Sequence, residues 1–159
     1  MVSRVRAVVI AMGLVVGVSA AAEAQAGPME FGPRVSYNFD AEEFAIGAHL
    51  VKPLTSAISF YPSFDYYLVG DGLTLMGFNA DLTYQVPSES LRWLYLGAGL
   101  GIFRTSAGGN SSTDTGLNLI GGFQPASGAR IKPFAEARFQ LGGSESFSVV
   151  GGLKIPLGN

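Results

Sequence analysis

The chain has 159 residues, of which 48% are hydrophobic and 14% charged, and it contains no cysteine. Soluble domains carry about 25% charged residues, so there are too few charges for an ordinary water-facing exterior. The absence of cysteine excludes a disulfide framework and a lipoprotein anchor, and the net charge of −2 excludes a basic surface for nucleic acid.

The first 26 residues predict a cleaved signal peptide. Arg4 and Arg6 form a positive n-region, an uncharged apolar run follows, and Ala24-Gln25-Ala26 fits a small-x-small cleavage site. The apolar run is shorter than the ~20 residues that a membrane helix needs. We therefore expect the secretion machinery to export the chain and residues 1–26 to be removed, leaving a single domain over 27–159.

The mature chain divides into eight strand-like segments, recognised by period-two alternation and by the turn residues between them. They are Met29–Phe39, Phe44–Val51, Ala57–Val69, Leu73–Val86, Leu91–Arg104, Thr115–Gln124, Ile131–Gly142 and Ser146–Leu157. Prolines 33, 62 and 133 fall inside strands, and we expect bulges at some of them. Residues 105–114, rich in Gly, Ser, Thr and Asn, predict a mobile exposed loop at the end opposite the mature termini. This loop is the candidate contact for an extracellular ligand.

The two parities of these segments have opposite character. One parity, which we call the apolar parity, carries no charged residue between the segment ends, and the other collects Glu30, Arg34, His49, Asp65, Asp81, Lys132, Glu136, Arg138 and Lys154. Two arrangements are open: a soluble secreted barrel with an apolar interior that binds an apolar ligand, and a membrane barrel with a polar lumen.

Three observations favour the membrane barrel. Eight strands enclose a lumen too narrow for all the apolar side chains. Between the segment ends the apolar parity contains no charge, as lipid contact requires. Its aromatic residues sort into two belts, as the two bilayer interfaces select. The belt residues are Phe31, Tyr37, Phe39, Phe44, Phe60, Phe64, Tyr66, Tyr84, Phe123, Phe139 and Phe147. On this assignment Trp93 and Tyr95 point inward, and Asn118→Arg should be tolerated better than Leu119→Arg.

The lumen charges are predicted to form an ionic network that plugs the barrel, because buried charges need partners. Its members are Arg34, Asp65, Asp81, Lys132, Glu136, Arg138 and Lys154. Lys154 and Glu136 share the final predicted hairpin, and Arg34 lies beside it. Inward glycines are expected to make room for bulky neighbours. The alternative is a narrow or gated channel for small ions or solutes, opened by rearranging these pairs.

Catalytic and metal chemistry have weak signals. His49 is the only histidine, so a metal site or a cofactor is not expected. Ser59, Ser63 and Asp65 share the neighbouring strand and its parity, which leaves a Ser–His–acid set in a lipid-modifying or hydrolytic barrel as a minor alternative.

The signal peptide, the eight segments, the run Leu94–Gly101 and the closing Val150–Leu157 resemble the small outer-membrane β-barrel family, which includes the OmpA transmembrane domain, OmpX-like and opacity-type surface proteins. The resemblance implies an eight-stranded antiparallel up-and-down transmembrane β-barrel with short periplasmic turns, located in the outer membrane of a Gram-negative bacterium. It implies outer-membrane lipids and the barrel-assembly machinery as partners. The implied role is structural or surface-interacting, as in porin-like proteins and surface antigens, without enzyme activity. Members of that family end on an aromatic assembly signal, whereas this chain ends Leu157-Gly158-Asn159.

Overall fold

Eight antiparallel strands close into one barrel in chain order, with the last strand paired to the first. A computed structural model describes residues 27–143 and 145–158, so the expected signal peptide lies outside the described residues. The strands are β1 (Glu30–Asn38), β2 (Glu43–Pro53), β3 (Ile58–Tyr67), β4 (Leu73–Gln85), β5 (Leu94–Ala107), β6 (Asn110–Phe123), β7 (Lys132–Leu141) and β8 (Ser146–Pro156). Each predicted segment corresponds to one strand, and the predicted fold class is confirmed. Across the described ranges, no helix is both long and apolar enough to cross a membrane.

The prolines inside strands do not shift the pairing register. Pro33, Pro62 and Pro133 each keep a partner on one neighbouring strand, and the register is the same on both sides of each. The missing N–H interrupts pairing on the other side instead, where the β1–β8 ladder passes from Phe31 directly to Arg34. The expectation of bulges is therefore wrong, because a local gap in the ladder accommodates the proline without an extra residue.

The segment predicted as a long loop is the end of a hairpin. β5 and β6 are 14 residues each and pair up to Ala107 and Asn110. Gly108 and Gly109 have φ of 53° and 85°, and two central residues with positive φ make the tight turn that matches strand twist. The prediction of a mobile loop at 105–114 is therefore wrong. β6 pairs with β7 only from Leu117 onward, so residues 110–114 lack a strand partner on that side within the described chain.

The connections define two ends of the barrel. We call the end that holds Gly27 and Gly158 the terminal end, and the other the hairpin end. Connections 54–57, 86–93 and 124–131 lie at the terminal end, and the second contains a short 3-10 helix, Glu89–Leu91. Two of these are longer than every connection at the hairpin end, so loop length does not by itself orient the barrel in a membrane.

Polar side chains fill the interior of the barrel and apolar side chains cover its outer face, which is the reverse of a soluble protein. The buried set is mostly polar, with Arg34 2% and Asp81 1% exposed, whereas Phe44 on the outer face is 57% exposed. This is the arrangement that strand parity predicts for a membrane barrel. An apolar-ligand carrier needs an apolar interior, so the soluble alternative does not fit the described barrel.

Trp93 and Tyr95 lie on different sides of the wall. Tyr95 points inward and is 3% exposed, as expected. Trp93 lies against Phe123 of the outer face, with the ring centroids 5.3 Å apart. The inward placement of Trp93 is therefore wrong, because β5 begins only at Leu94 and strand parity does not apply before it.

Candidate functional site

A network of buried ion pairs crosses the middle of the lumen. Arg34 on β1 makes a two-pronged contact with Asp65 on β3, in which Nε and Nη2 each donate to a carboxylate oxygen at 2.8 Å. This planar geometry is the strong form of an arginine–carboxylate pair. It joins two strands that are not neighbours, because the lumen is narrow enough for an arginine to reach across.

A second arginine continues the network on the other side. Arg138 donates from Nη1 to Asp81 at 2.7 Å and from Nη2 to Glu136 at 3.1 Å. Glu136 Oε1 also lies 3.8 Å from Arg34 Nη1. Glu136 therefore bridges the two arginines, and the five side chains (Arg34, Asp65, Asp81, Glu136 and Arg138), which we call the central network, carry two positive and three negative charges.

Neutral side chains complete the hydrogen bonding of the central network. Tyr95 and Tyr61 donate their hydroxyls to Glu136 Oε2 at 2.7 and 3.3 Å, and Asn118 donates to both Asp81 and Asn79 at 2.9 Å. The sequence interpretation missed the two tyrosines as members. Tyr61 shares the parity of Asp65, and Tyr95 was expected inward, so parity placed both in the lumen but not on Glu136.

The central network is tightly packed. A Cβ at Gly99 would overlap Asp81, and one at Gly122 would overlap the Tyr95 ring, which confirms that inward glycines make room for bulky neighbours. Asn118 is 0% exposed, so an arginine there would have to displace packed neighbours, and its comparison with Leu119→Arg stays a prediction. A cavity lined by Arg34, Asp65 and Arg138 has a volume of about 10 Å³, room for about one water.

Lys132 and Lys154 lie apart from the central network, toward the terminal end. Lys132 Nζ pairs with Glu30 at 2.6 Å. Lys154 Nζ donates to the side-chain oxygen of Gln124 at 2.8 Å and lies 4.4 Å from the centre of the Tyr95 ring. The structure thus brings five of the seven predicted network residues together and leaves the two lysines outside.

His49 lies in an aromatic environment without a catalytic partner. Its ring packs edge-on to Tyr61 and Phe134, with centroids 5.4 and 5.0 Å away. Neither ring nitrogen has a hydrogen-bond partner among the described residues. Ser63, its partner across the strands, accepts instead from Asn79. The described residues also contain no group of three side chains suited to hold a metal ion.

The predicted belt aromatics lie on the outer face. Around the β1–β8 seam at the hairpin end, five rings form a continuous row in which successive centroids are 4.7 to 5.4 Å apart. The row consists of Phe44, Tyr37, Phe39, Phe147 and Phe139. Phe123 and Tyr84 are exposed near the terminal end. Trp93 joins Phe123 there, although it was not predicted as a belt residue.

The chain folds as a closed eight-stranded barrel with a charged interior and an apolar exterior, which is the fold of small outer-membrane β-barrels. Solved structures of this class are similar to the chain. The N-terminal β-barrel domain of Pseudomonas aeruginosa OprF is 16% identical with a TM-score of 0.66, and the match covers 81% of this chain and 96% of that one. Neisserial surface protein A (NspA) is 17% identical with a TM-score of 0.66, over 83% and 99% of the two chains.

A designed protein has the same architecture. The de novo designed TMB2.3 is 15% identical with a TM-score of 0.51, over 85% of this chain and 98% of that one. Comparisons with protein-family models and with curated proteins give no match. The resemblance to small outer-membrane barrels is therefore confirmed at the level of the fold.

Proposed function

We propose that the chain is an outer-membrane protein whose barrel spans the bilayer in contact with outer-membrane lipids, after export and insertion by the secretion and barrel-assembly machinery. The distribution of buried residues carries the proposal: Arg34, Asp81 and Glu136 are buried, whereas Phe39 and Phe44 on the outer face are exposed. Burying charge while exposing aromatic rings is favourable only where lipid, not water, surrounds the barrel.

We propose that the central network closes the lumen and that the protein has no enzyme activity. The narrow cavity beside Arg34 and Arg138 supports closure. The isolation of His49 from any hydroxyl nucleophile supports the absence of hydrolysis, since a general base needs a hydrogen-bonded partner. The closed barrel then has a structural role, and it contacts ligands or partner molecules through its two ends.

A surface-interaction role is supported by the hairpin of β5 and β6. Residues 110–114 of β6 have an unpaired edge, and such an edge presents backbone donors and acceptors to another extended segment. The side chains there are Asn, Ser, Ser, Thr and Asp, without the lysine or proline that usually protects an edge. We propose this edge as the contact for an extracellular ligand, in place of the loop predicted from the sequence.

The orientation is tested with single cysteines, because the natural chain has none. We expect a membrane-impermeant maleimide to label Ser111→Cys, an exposed position next to the hairpin turn, on intact cells. Ser127→Cys, in an exposed terminal-end connection, should be labelled only after the outer membrane is opened. Labelling of Ser127→Cys alone on intact cells would reverse the orientation, and equal labelling of both in the soluble fraction would overturn the membrane location.

A gated channel is a second candidate, and the two vestibules favour it. Cavities of about 240 and 280 Å³ lie at the terminal and hairpin ends, and the central network lies in the lumen together with buried rings such as Tyr61 and Phe134. In planar bilayers we expect no current through the wild type and measurable current through Glu136→Ala, whereas Glu89→Ala, an exposed residue with the same charge change, should behave as wild type. Silence of all three at high salt and voltage would remove the channel candidate, and steady wild-type current would contradict the plug.

A further inference from the structure

The vestibule at the terminal end is a polar cup with a buried cation at its base. Its volume of about 240 Å³ is room for about eight waters, at ~30 Å³ each. Lys132 and Lys154 are direct partners across β7 and β8, so their side chains enter the cup from the same wall. Like charges placed opposite each other on adjacent strands repel, so the register concentrates positive charge at this point.

The two lysines are compensated unequally. Lys132 has Glu30 at 2.6 Å. Lys154 is 7% exposed and has no carboxylate within 4.0 Å among the described residues, and its one hydrogen bond goes to the neutral Gln124. An ammonium has three donors, so two remain for the cavity. Lys154 is therefore an ammonium without a carboxylate in direct contact, in a setting where an unpaired charge is costly.

Aromatic rings hold this ammonium without neutralising it. The Tyr95 and Phe134 ring centres lie 4.4 and 5.0 Å from Lys154 Nζ, a geometry in which the ring faces attract a cation. On the opposite wall Ser59 and Thr83 are partners across β3 and β4, and their hydroxyls line the same cavity. Free hydroxyl donors, an ammonium without a carboxylate in direct contact and an opening to solvent are the elements of an oxyanion site.

We propose that this vestibule binds a small oxyanion of the phosphate or carboxylate class, with Lys154 as its counter-ion and the hydroxyls of Ser59 and Thr83 as neutral donors. Glu30 limits the affinity, because it occupies Lys132. The site stands on the interior of the barrel and is independent of the orientation in the membrane and of the role of the hairpin.

The test uses the folded barrel in a sugar-headgroup detergent, with inorganic phosphate titrated at constant ionic strength and amide chemical shifts as the readout. We expect saturable shifts around Lys154, Gln124 and Thr83, with a Kd on the order of a millimolar. Lys154→Gln should weaken binding by about tenfold, the loss expected for one charge-assisted hydrogen bond. Glu30→Gln should tighten binding, since it releases Lys132.

Arg92→Gln is the matched control, because it makes the same charge change at the same end but outside the cup. It should bind phosphate as the wild type does. Equal weakening by Lys154→Gln and Arg92→Gln would reduce the effect to general electrostatic attraction and overturn the site. Absence of saturable shifts in the wild type and Glu30→Gln would show that the rings and Gln124 satisfy Lys154. Heat-modifiable gel migration verifies that each variant is folded, and acetate titrated in place of phosphate distinguishes the two oxyanion classes.

Discussion

Leu119→Arg is expected to prevent assembly of the barrel into lipid vesicles. Leu119 is 42% exposed on the outer face of β6, four residues from Phe123 of the terminal-end belt and thus inside the apolar band. An arginine on the lipid face costs about 2–4 kcal/mol near the midplane and about 0–1 kcal/mol near the interfaces. A small barrel has marginal net stability, so most of the variant should stay unfolded, as measured by heat-modifiable migration and protease resistance.

Thr113→Arg is the control that separates depth from charge. Thr113 lies on the same strand and the same face as Leu119, and it is exposed on the hairpin beyond the last β6–β7 pair at Leu117. Its arginine should meet water, so assembly should match that of the wild type. If both variants assembled equally well, the outer face would not be in lipid, and the proposed membrane location would fail.

Strand parity carried most of the information that the sequence held about this barrel. Each residue that alternates along a strand reports its face directly, because side chains in β-structure have period two. In the segment Lys132–Leu141, for example, all charged residues lie on one parity, and the structure buries Glu136 and Arg138 while exposing Phe139. The parity that faces the lumen could also be predicted, because a narrow lumen cannot hold all the apolar side chains and a lipid exterior excludes charged ones.

Strand parity does not predict which side chains form hydrogen bonds and ion pairs with each other inside the lumen. Lys154 and Glu136 share a hairpin, yet Lys154 binds Gln124 and Glu136 binds Arg138. Height along the axis depends on the stagger between strands, which is set by all eight registers together. The hairpin tip was missed for a different reason: a polar Ser- and Thr-rich stretch has the composition of a loop, and the signal was the Gly108-Gly109 pair, which permits a two-residue turn.

The second large effect is expected from Arg138→Gln. Arg138 is the sole charged partner within 4.0 Å of Asp81 in the described chain, and it also donates to Glu136. Removing one partner of a buried ion pair costs about 3–5 kcal/mol, because the remaining charge stays desolvated. We expect the free energy of unfolding in urea, measured in lipid vesicles through the fluorescence of Trp93, to fall by about this amount.

The charge balance of the central network predicts that removing an acid is milder than removing a base. Glu136→Gln leaves Arg34 with Asp65 and Arg138 with Asp81, two intact pairs with no excess charge, whereas Arg138→Gln leaves two buried carboxylates short of a cation. Lys132→Gln is the control for a partly exposed pair, since the Lys132 side chain is 32% exposed, and its cost should be about 0–1 kcal/mol.

If Glu136→Gln destabilised the barrel more than Arg138→Gln, the carboxylate would be needed chiefly as the acceptor for Tyr61 and Tyr95. Closure of the lumen would then depend on that hydrogen-bonded layer and not on the ion pairs.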